Sequence, residues 1–157
     1  MVRTYQERLY WHIRKMVLVH DDANDVLQNT FMKAWKGLDN FRGDSQISTW
    51  LYRIATNETL SFLSQKKARM MNSFEDVEEL MLQNLQADTY FEGDEVQLKL
   101  QKAIITLPEK QRLVFNMRFY DEMPYEEMSK ILDTSVGALK ASYHHAARKV
   151  EDFLIKE

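Results

Sequence analysis

Residues 107–154 read LPEKQRLVFNMRFYDEMPYEEMSKILDTSVGALKASYHHAARKVEDFL, and the pattern within this stretch decides the fold of the chain. Apolar residues at helical spacing predict one helix over residues 125–132 and a second over residues 136–153. Residues 133–135 form a turn between them, and its last residue, Ser135, is a favourable N-cap for the second helix. Two helices joined by so short a turn have the form of a helix-turn-helix.

The second helix of this motif separates into a buried stripe and an exposed face. The stripe consists of Val136, Leu139, Tyr143, Ala146 or Ala147, and Val150. The exposed face consists of Lys140, Ala141, His144, His145 and Arg148. A helix that carries small residues and hydrogen-bond donors near its N-terminus fits the major groove of DNA. An ordinary helical hairpin with a solvated polar face is the alternative on spacing alone.

Apolar periodicity predicts further helices upstream of this motif. They cover residues 5–19, 22–36, 48–69, 96–106 and 108–119. Asp22 is predicted to cap the second of them, with Asp25 three residues on in a pattern that resembles a capping box. Residues 37–46 form a connector before the third, which ends in a basic cluster at residues 66–69.

The composition favours an all-α fold. The 157 residues include only 4 Gly and 2 Pro, whereas folds rich in strands need many turn-forming residues. Cys is absent, which excludes disulfides and thiolate metal sites and is typical of a reducing cytosol. No apolar run approaches the roughly 20 residues that span a bilayer. We therefore expect a cytoplasmic protein without membrane insertion.

The charges are distributed unevenly along the chain. Residues 1–69 carry a net charge of +4, residues 70–95 carry −8 and residues 96–157 carry +1. The middle segment has no Lys or Arg and no clean apolar period, so we interpret it as an acidic linker. The sequence therefore predicts two small helical domains, at residues 1–69 and 96–157, joined by this linker.

Two stretches of the chain resemble the conserved regions of one protein family. Residues 107–154, quoted above, resemble the fourth conserved region of the extracytoplasmic-function sigma factors. Residues 21–69, DDANDVLQNTFMKAWKGLDNFRGDSQISTWLYRIATNETLSFLSQKKAR, resemble the second conserved region. Both stand in the order and at the separation that the family has. The resemblance implies a sigma factor, which guides core RNA polymerase to promoters by binding and is not an enzyme. Residues 1–69 would then be a helical promoter-melting domain.

The resemblance implies a polymerase-binding surface on the second helix. Its residues are Asp25, Gln28, Asn29, Met32 and Lys33. Asp25, Gln28 and Met32 share one face at three- and four-residue spacing, which fits a contact with the coiled coil of the polymerase clamp. A solvated face has the same spacing, so both interpretations stand. Trp35 is expected to be partly buried and to serve packing rather than contact with a partner. Asn29 replaces the Glu usual in the family, which removes a charge that could pair with clamp arginines.

The connector and the third helix resemble the part of the family that reads the minus-10 promoter element. The DNA-binding residues implied here are Phe41, Arg53, Asn57, Lys66, Lys67 and Arg69. In the family a base flips out of the non-template strand into a pocket at the positions of Phe41 and Asn57, where a ring can stack and an amide can bond. Phe41 is equally consistent with a core aromatic residue. The cationic residues are phosphate-binding candidates, which add affinity without sequence information.

The helix-turn-helix resembles the part of the family that reads the minus-35 element as duplex DNA. The residues implied are Arg118, Lys140, Ala141, His144, His145 and Arg148, with the two arginines toward the DNA backbone. Ala141, Ser142 and His145 replace the Ser, Arg and Arg usual in the family. Arg is the commonest reader of guanine, so we expect weaker or different minus-35 specificity. His144 and His145 point about 100° apart on a helix and are poorly placed to chelate one ion, so no metal site is predicted.

The acidic linker and the family's partners complete these expectations. The linker is either a solvated tether or, as the family implies, a segment that passes through the polymerase toward the RNA channel. The implied partners are core RNA polymerase, promoter DNA in duplex and single-stranded form, and an anti-sigma factor; no cofactor is implied. A helix-turn-helix regulator that acts without replacing a sigma factor is the alternative, but it leaves residues 21–69 unexplained. An enzyme is a more distant alternative, because the sequence contains no catalytic constellation.

Overall fold

The computed structural model describes residues 2–41, 46–70 and 95–156. These residues form seven α-helices and one 3-10 helix with no β-strand among them, which confirms the all-α prediction. The α-helices are α1 (Val2–Val17), α2 (His20–Gly37), α3 (Ile47–Met70), α4 (Glu95–Ile105), α5 (Glu109–Phe119), α6 (Tyr125–Leu132) and α7 (Val136–Lys156). The 3-10 helix, Leu38–Asn40, follows α2 directly. Of the predicted linker, residues 71–94 lie outside the described residues.

Helices α1, α2 and α3 pack on one another and form the N-terminal group. In α1, Leu9, Ile13 and Met16 recur at three- and four-residue spacing and are fully buried. Val26 on α2 and Leu51 on α3 belong to the same core. The apolar face of each helix therefore turns inward, and the outer face of α2 lies in solvent.

The end of α1 differs from the prediction, which extended this helix to residue 19. Helix α1 ends at Val17 because Leu18 adopts the left-handed conformation, with a φ of 66°. Arg14 stabilises this turn, since its Nε donates a hydrogen bond to the Leu18 carbonyl at 3.1 Å.

The start of α2 also differs from the prediction. Val19 is its N-cap residue in an extended conformation and makes no side-chain capping hydrogen bond. The prediction that Asp22 caps this helix was wrong, because α2 begins two residues earlier, at His20. Asp22 lies within the first turn, and its carboxylate accepts a hydrogen bond from Lys66 Nζ at 3.1 Å, which joins α2 to α3.

Helices α4 to α7 form the C-terminal group, and the helix-turn-helix lies at its end. Helix α6 has the predicted bounds and ends where Asp133 turns into the left-handed region, with a φ of 51°. The Oγ of Ser135 accepts a hydrogen bond from the Ala138 N–H at 3.1 Å, which confirms the predicted cap. Helix α7 continues to Lys156, three residues beyond its predicted end.

The buried stripe of α7 is close to the predicted one. Leu139, Ala146 and Val150 are buried, and Val136, Tyr143 and Ala147 are half-buried at its edges. Between Ala146 and Ala147, which the sequence left open, Ala146 is the residue that faces the core. Its neighbours in the core include Ile104 on α4 and Phe115 on α5.

The two groups of helices pack against each other, an arrangement that the sequence does not predict. Helix α1 contacts α5, and α3 contacts α6. A single apolar cluster includes Ile13 and Leu51 of the N-terminal group together with Leu113 and Met128 of the C-terminal group. The two groups of helices therefore share part of one core.

Candidate functional site

The outer face of α2 is exposed along its length. The five predicted polymerase-binding residues, Asp25, Gln28, Asn29, Met32 and Lys33, are all solvent-exposed. Met32 exposes 58% of its surface and Trp35 exposes 79%, so the expectation that Trp35 is partly buried and serves packing was wrong. Both line a shallow groove of about 560 Å³, together with Leu27 and Phe31. Exposed large apolar side chains grouped in this way are typical of a protein-binding surface.

Lys33 differs from its neighbours on this face because it already has a partner. Its Nζ forms an ion pair with a carboxylate oxygen of Glu58 on α3. Glu58 is largely buried, with 14% of its side chain exposed, whereas Lys33 exposes 66%. The pair holds α2 to α3, so Lys33 would have to share its charge with any external partner.

Phe41 precedes α3, and the other predicted minus-10 residues lie along that helix. Phe41 is half-buried and packs on Trp50, with ring centroids 5.0 Å apart and planes inclined by 38°. Asn57 is exposed and lies seven residues after Trp50, which is about two helical turns and about 10 Å along the axis. Trp50 and Asn57 therefore share one side of α3. Residues 42–45, the rest of the predicted pocket loop, lie outside the described residues.

Asn57 lies in a crevice of about 430 Å³ between the two groups of helices. One wall consists of Arg53, Thr56, Asn57 and Leu60 on α3. The opposite wall consists of Ile131, Leu132 and Asp133 at the end of α6. The guanidinium of Arg53 donates hydrogen bonds to the carbonyl of Lys130 across this crevice. Arg53 therefore binds the C-terminal group.

The basic cluster at the end of α3 is exposed in part. Lys66 pairs with Asp22, as described above, and lies 5.8 Å from the centre of the Phe62 ring. Lys67 and Arg69 are exposed, and Arg69 Nε donates to the carbonyl of Gln65 in the preceding turn. Lys66 is thus a structural cation as well as a phosphate candidate.

The predicted minus-35 face of α7 is open to solvent. Lys140, Ala141, His144, His145 and Arg148 are all exposed. The rings of His144 and His145 have centroids 6.2 Å apart and planes inclined by 58°. These side chains belong to a helix whose first turn is capped by Ser135. The helix-turn-helix therefore determines their positions.

Arg118 has a structural role that the sequence did not indicate. It is half-buried, and its Nη1 donates to the Met123 carbonyl at 3.0 Å. Its guanidinium also lies 4.6 Å from the centre of the Tyr125 ring. Arg118 therefore holds the turn between α5 and α6, and a phosphate contact from it remains a prediction.

The partners of His12 are distant in the sequence. His12 is buried, and its Nδ1 lies 3.9 Å from an oxygen of Asp121, which is 109 residues away. Its Nε2 is hydrogen-bonded to Thr56 Oγ1 at 2.9 Å. Only the packing of the two groups brings these residues together.

Comparison with known proteins matches the two halves of the chain separately. The model of Sigma-70 region 2 matches residues 1–69, and that of Sigma-70, region 4 matches residues 97–150. The ECF RNA polymerase sigma-E factor of Escherichia coli (strain K12) is 31% identical over 141 residues, which cover 83% of this chain and 73% of the relative. The chain belongs to the extracytoplasmic-function (ECF) family of sigma factors. It is a transcription initiation factor that directs core RNA polymerase to promoters.

Other relatives of this ECF sigma factor agree over nearly its whole length. The RNA polymerase sigma-H factor of Pseudomonas aeruginosa is 30% identical over 162 residues, covering 98% of this chain and 84% of the relative. The fold is similar to that of RpoE in complex with the anti-sigma factor NepR from Bartonella quintana, with a TM-score of 0.72 and 21% identity. That match covers 98% of this chain and 93% of the other. CnrH, in complex with the cytosolic domain of CnrY, gives a TM-score of 0.71 at 22% identity, covering 99% and 86%.

These findings decide between the alternatives. A regulator that does not replace a sigma factor has no use for a region 2, whereas the match to region 2 spans residues 1–69. Within the described residues, no helix is long and apolar enough to cross a membrane.

Proposed function

We propose that this ECF sigma factor reads promoters with two surfaces, one on α3 for the opened minus-10 element and one on α7 for the duplex minus-35 element. The observation that carries the proposal is that the Phe41 ring packs on Trp50, while Trp50 and Asn57 lie about two turns apart on one side of α3. Aromatic faces and an amide are the groups that bind an extruded base, by stacking and by hydrogen bonds to its edge. The exposed cations and histidines of α7 suit the major groove.

The chain is proposed to act in three segments. Residues 1–69 melt the promoter and hold the polymerase, residues 70–95 connect, and residues 96–157 bind the minus-35 element. The outer face of α2 is proposed to bind the polymerase clamp, because Met32 and Trp35 expose apolar surface beside the carboxylate of Asp25.

Binding alone is proposed to account for this activity. Nucleotidyl transfer belongs to the polymerase, so the chain acts as a non-enzymatic factor and needs no cofactor. It works where the polymerase works, in the cytoplasm. RpoE, which shares its fold, forms a complex with the anti-sigma factor NepR, and CnrH forms one with the cytosolic domain of CnrY. An anti-sigma partner is proposed for this chain by the same likeness.

Run-off transcription tests the proposal directly. Core polymerase is mixed with the full chain and with genomic promoter fragments, and the transcripts are mapped. We expect discrete start sites that appear only when the chain is present. A chain that binds duplex DNA tightly by itself and yields no new start sites would contradict the proposed function.

A further inference from the structure

The first residue of α6, Tyr125, lies between cations of two other helices. The guanidinium carbon of Arg118, near the end of α5, is 4.6 Å from the centre of the Tyr125 ring. The Nζ of Lys140, on α7, is 5.8 Å from the same point. Both distances are within the roughly 6 Å at which the negative face of an aromatic ring attracts a cation. One ring therefore gathers a cation from the helix before it and a cation from the helix after it.

The Tyr125 ring is itself held in place by the fold. It is half-buried and packs against the apolar cluster that includes Met128 on α6 and Leu139 on α7. The chain enters α6 through Pro124, whose own ring fixes its φ, here −62°. A tyrosine side chain has only two side-chain torsions to restrict, so it provides a rigid surface at a low cost in conformational entropy. Tyr125 is therefore a firm support for the more flexible cations beside it.

The two cations on this ring keep their charge available to an external anion. Arg118 is held a second time, because its Nη1 donates to the Met123 carbonyl at 3.0 Å, but a carbonyl does not neutralise its charge. Lys140 is exposed. Within the part of the chain that the structure describes, neither cation forms an ion pair with a carboxylate. An aromatic ring restrains a cation without cancelling its charge, which suits a site that must attract a polyanion.

The spacing of the two charges suits a DNA duplex. Because both lie close to one ring centre, they are at most about 10 Å apart, which corresponds to about three phosphate spacings along one strand at about 3.4 Å of axis each. Lys140 belongs to the exposed face of α7, and Arg118 comes from α5, which precedes the helix-turn-helix. The ring of Tyr125 thus joins a cation of the reading helix to a cation outside it.

We infer that Tyr125 is a positioning residue for minus-35 binding, whose ring face holds Arg118 and Lys140 as a preformed pair of cations for the duplex. Two cations that are already restrained lose less side-chain freedom on binding than two independent ones, so the pair adds affinity through preorganisation. The inference rests on the proposed function of α7, since the pair matters only if that face binds DNA. Tyr125 acts through its ring and through its neighbours, and its hydroxyl is not required.

The first test changes the charge on the ring face and nearly preserves its shape. Tyr125→Phe removes the hydroxyl, and replacement of Tyr125 by pentafluorophenylalanine also withdraws the negative charge from the ring face. Holoenzyme assembled from core polymerase and the full chain is titrated onto duplex promoter DNA that run-off transcription has mapped. We expect Tyr125→Phe to bind as wild type does. The fluorinated variant should bind about tenfold more weakly, or by about 1.4 kcal/mol, because both cations lose their support.

A double-variant comparison shows whether the ring acts through Lys140. Tyr125→Leu should weaken binding about tenfold in the wild-type background but about threefold when Lys140→Ala is already present, because the share carried by Lys140 is then gone. Phe153→Leu is the matched control for lost aromatic packing, since this half-buried ring of α7 packs on the apolar cluster of Ala146 and Val150. It should have the same effect in both backgrounds.

The outcomes separate a positioning role from a structural one and from direct contact. Equal losses for Tyr125→Leu in the two backgrounds, with equal binding of Tyr125→Phe and the fluorinated variant, overturn the positioning role. A loss in Tyr125→Phe as large as that in Tyr125→Leu assigns the effect to the hydroxyl and overturns it too. Run-off transcription by the wild-type holoenzyme tests the proposed function separately. Discrete start sites with equal losses contradict the positioning role alone, whereas absent start sites contradict the proposed function.

Discussion

His12 Nε2 lies 2.9 Å from Thr56 Oγ1, so that one buried hydrogen bond joins α1 to α3 across 44 residues of sequence. Thr56 stands next to Asn57 on α3, and the other ring nitrogen of His12 faces Asp121. A single imidazole thus connects the helix that carries the proposed minus-10 residues to the contact between the two groups of helices.

Thr56→Val removes this hydroxyl while keeping the shape of the side chain. A buried donor or acceptor left without its partner costs about 1–3 kcal/mol, so we expect the free energy of unfolding to fall by that amount. Urea unfolding followed by circular dichroism measures it. Thr59→Val is the control, because that hydroxyl is equally buried but bonds to the Ala55 carbonyl within its own helix. Equal losses in the two variants would contradict a tertiary role for the Thr56 hydroxyl.

The stabilisation that Asp121 provides should depend on pH. The pKa of Asp121 is lowered in the folded protein from an ordinary value of 3.8, because His12 and Lys15 outweigh its burial. A lowered folded-state pKa stabilises the fold above the unfolded-state value and loses that contribution as pH falls through the folded-state value. We therefore expect the stability difference between wild type and Asp121→Asn to be full at pH 6 and to shrink below about pH 4. Urea unfolding across this range measures it, and a constant difference would refute the assignment.

The proposed clamp surface can be tested by charge reversal. Asp25→Arg should weaken binding to core polymerase and leave helicity unchanged, because reversal in a partly desolvated charge pair costs about 2–5 kcal/mol. Titration of labelled chain with core enzyme measures the affinity. Asp39→Arg is the matched control, since it reverses an exposed carboxylate that lies beyond α2. Unchanged affinity in Asp25→Arg would remove this face from the interface.

Local patterns predicted much of the fold. The bounds of α6, the cap at Ser135 and the exposed face of α7 follow from residues within a few positions of one another, where spacing and capping chemistry operate. The early end of α1 could not be predicted from the sequence. A non-glycine residue such as Leu18 rarely adopts the left-handed conformation, and no turn signal precedes it.

The contacts that sequence could not predict are those between distant segments. Lys33 with Glu58, and Asp121 with Lys15 and His12, depend on which helix faces meet in three dimensions. Trp35 is a different case. Its apolar ring suggested that it would be buried, but it is exposed, and protein-binding surfaces are also enriched in aromatic residues. Periodicity cannot distinguish these two uses of an apolar residue.

A substitution on the exposed face of α7 can distinguish base reading from phosphate binding. Lys140→Ala is expected to weaken binding of the holoenzyme to promoter DNA. If Lys140 binds phosphate, the loss is uniform across sequences and the salt slope falls by about 1; if it reads a base, the loss depends on the sequence. Binding at several salt concentrations to wild-type and altered minus-35 sites measures both. Lys149→Ala is the control, because Lys149 is also an exposed cation of α7 but bonds to Gln111. Identical behaviour of the two variants would show that Lys140 has no special place on the reading surface.

The proposed base pocket makes the sharpest prediction, because it concerns DNA only after the duplex opens. Base–aromatic stacking is worth roughly 1–3 kcal/mol, so loss of the Phe41 ring or of the Asn57 amide should reduce opening measurably. Asn57→Ala should leave polymerase binding and closed-complex formation nearly intact, since Asn57 is exposed and its side chain is small. It should lower open-complex formation, measured by the permanganate reactivity of unpaired thymines.

A promoter with a pre-melted bubble distinguishes an effect on strand opening from an effect on recognition of the flipped base. Asn57→Ala should open such a template as well as wild type does, because the strands are already apart, yet it should discriminate less at the flipped position. Ser61→Ala, one turn further along the exposed side of α3, serves as the matched control and should behave as wild type in both assays. Phe41→Ala should resemble Asn57→Ala, since the ring that rests on Trp50 would supply the stacking face. If both variants open linear promoters normally and keep the same base preference, Phe41 and Asn57 are structural, and the pocket lies elsewhere on the N-terminal group.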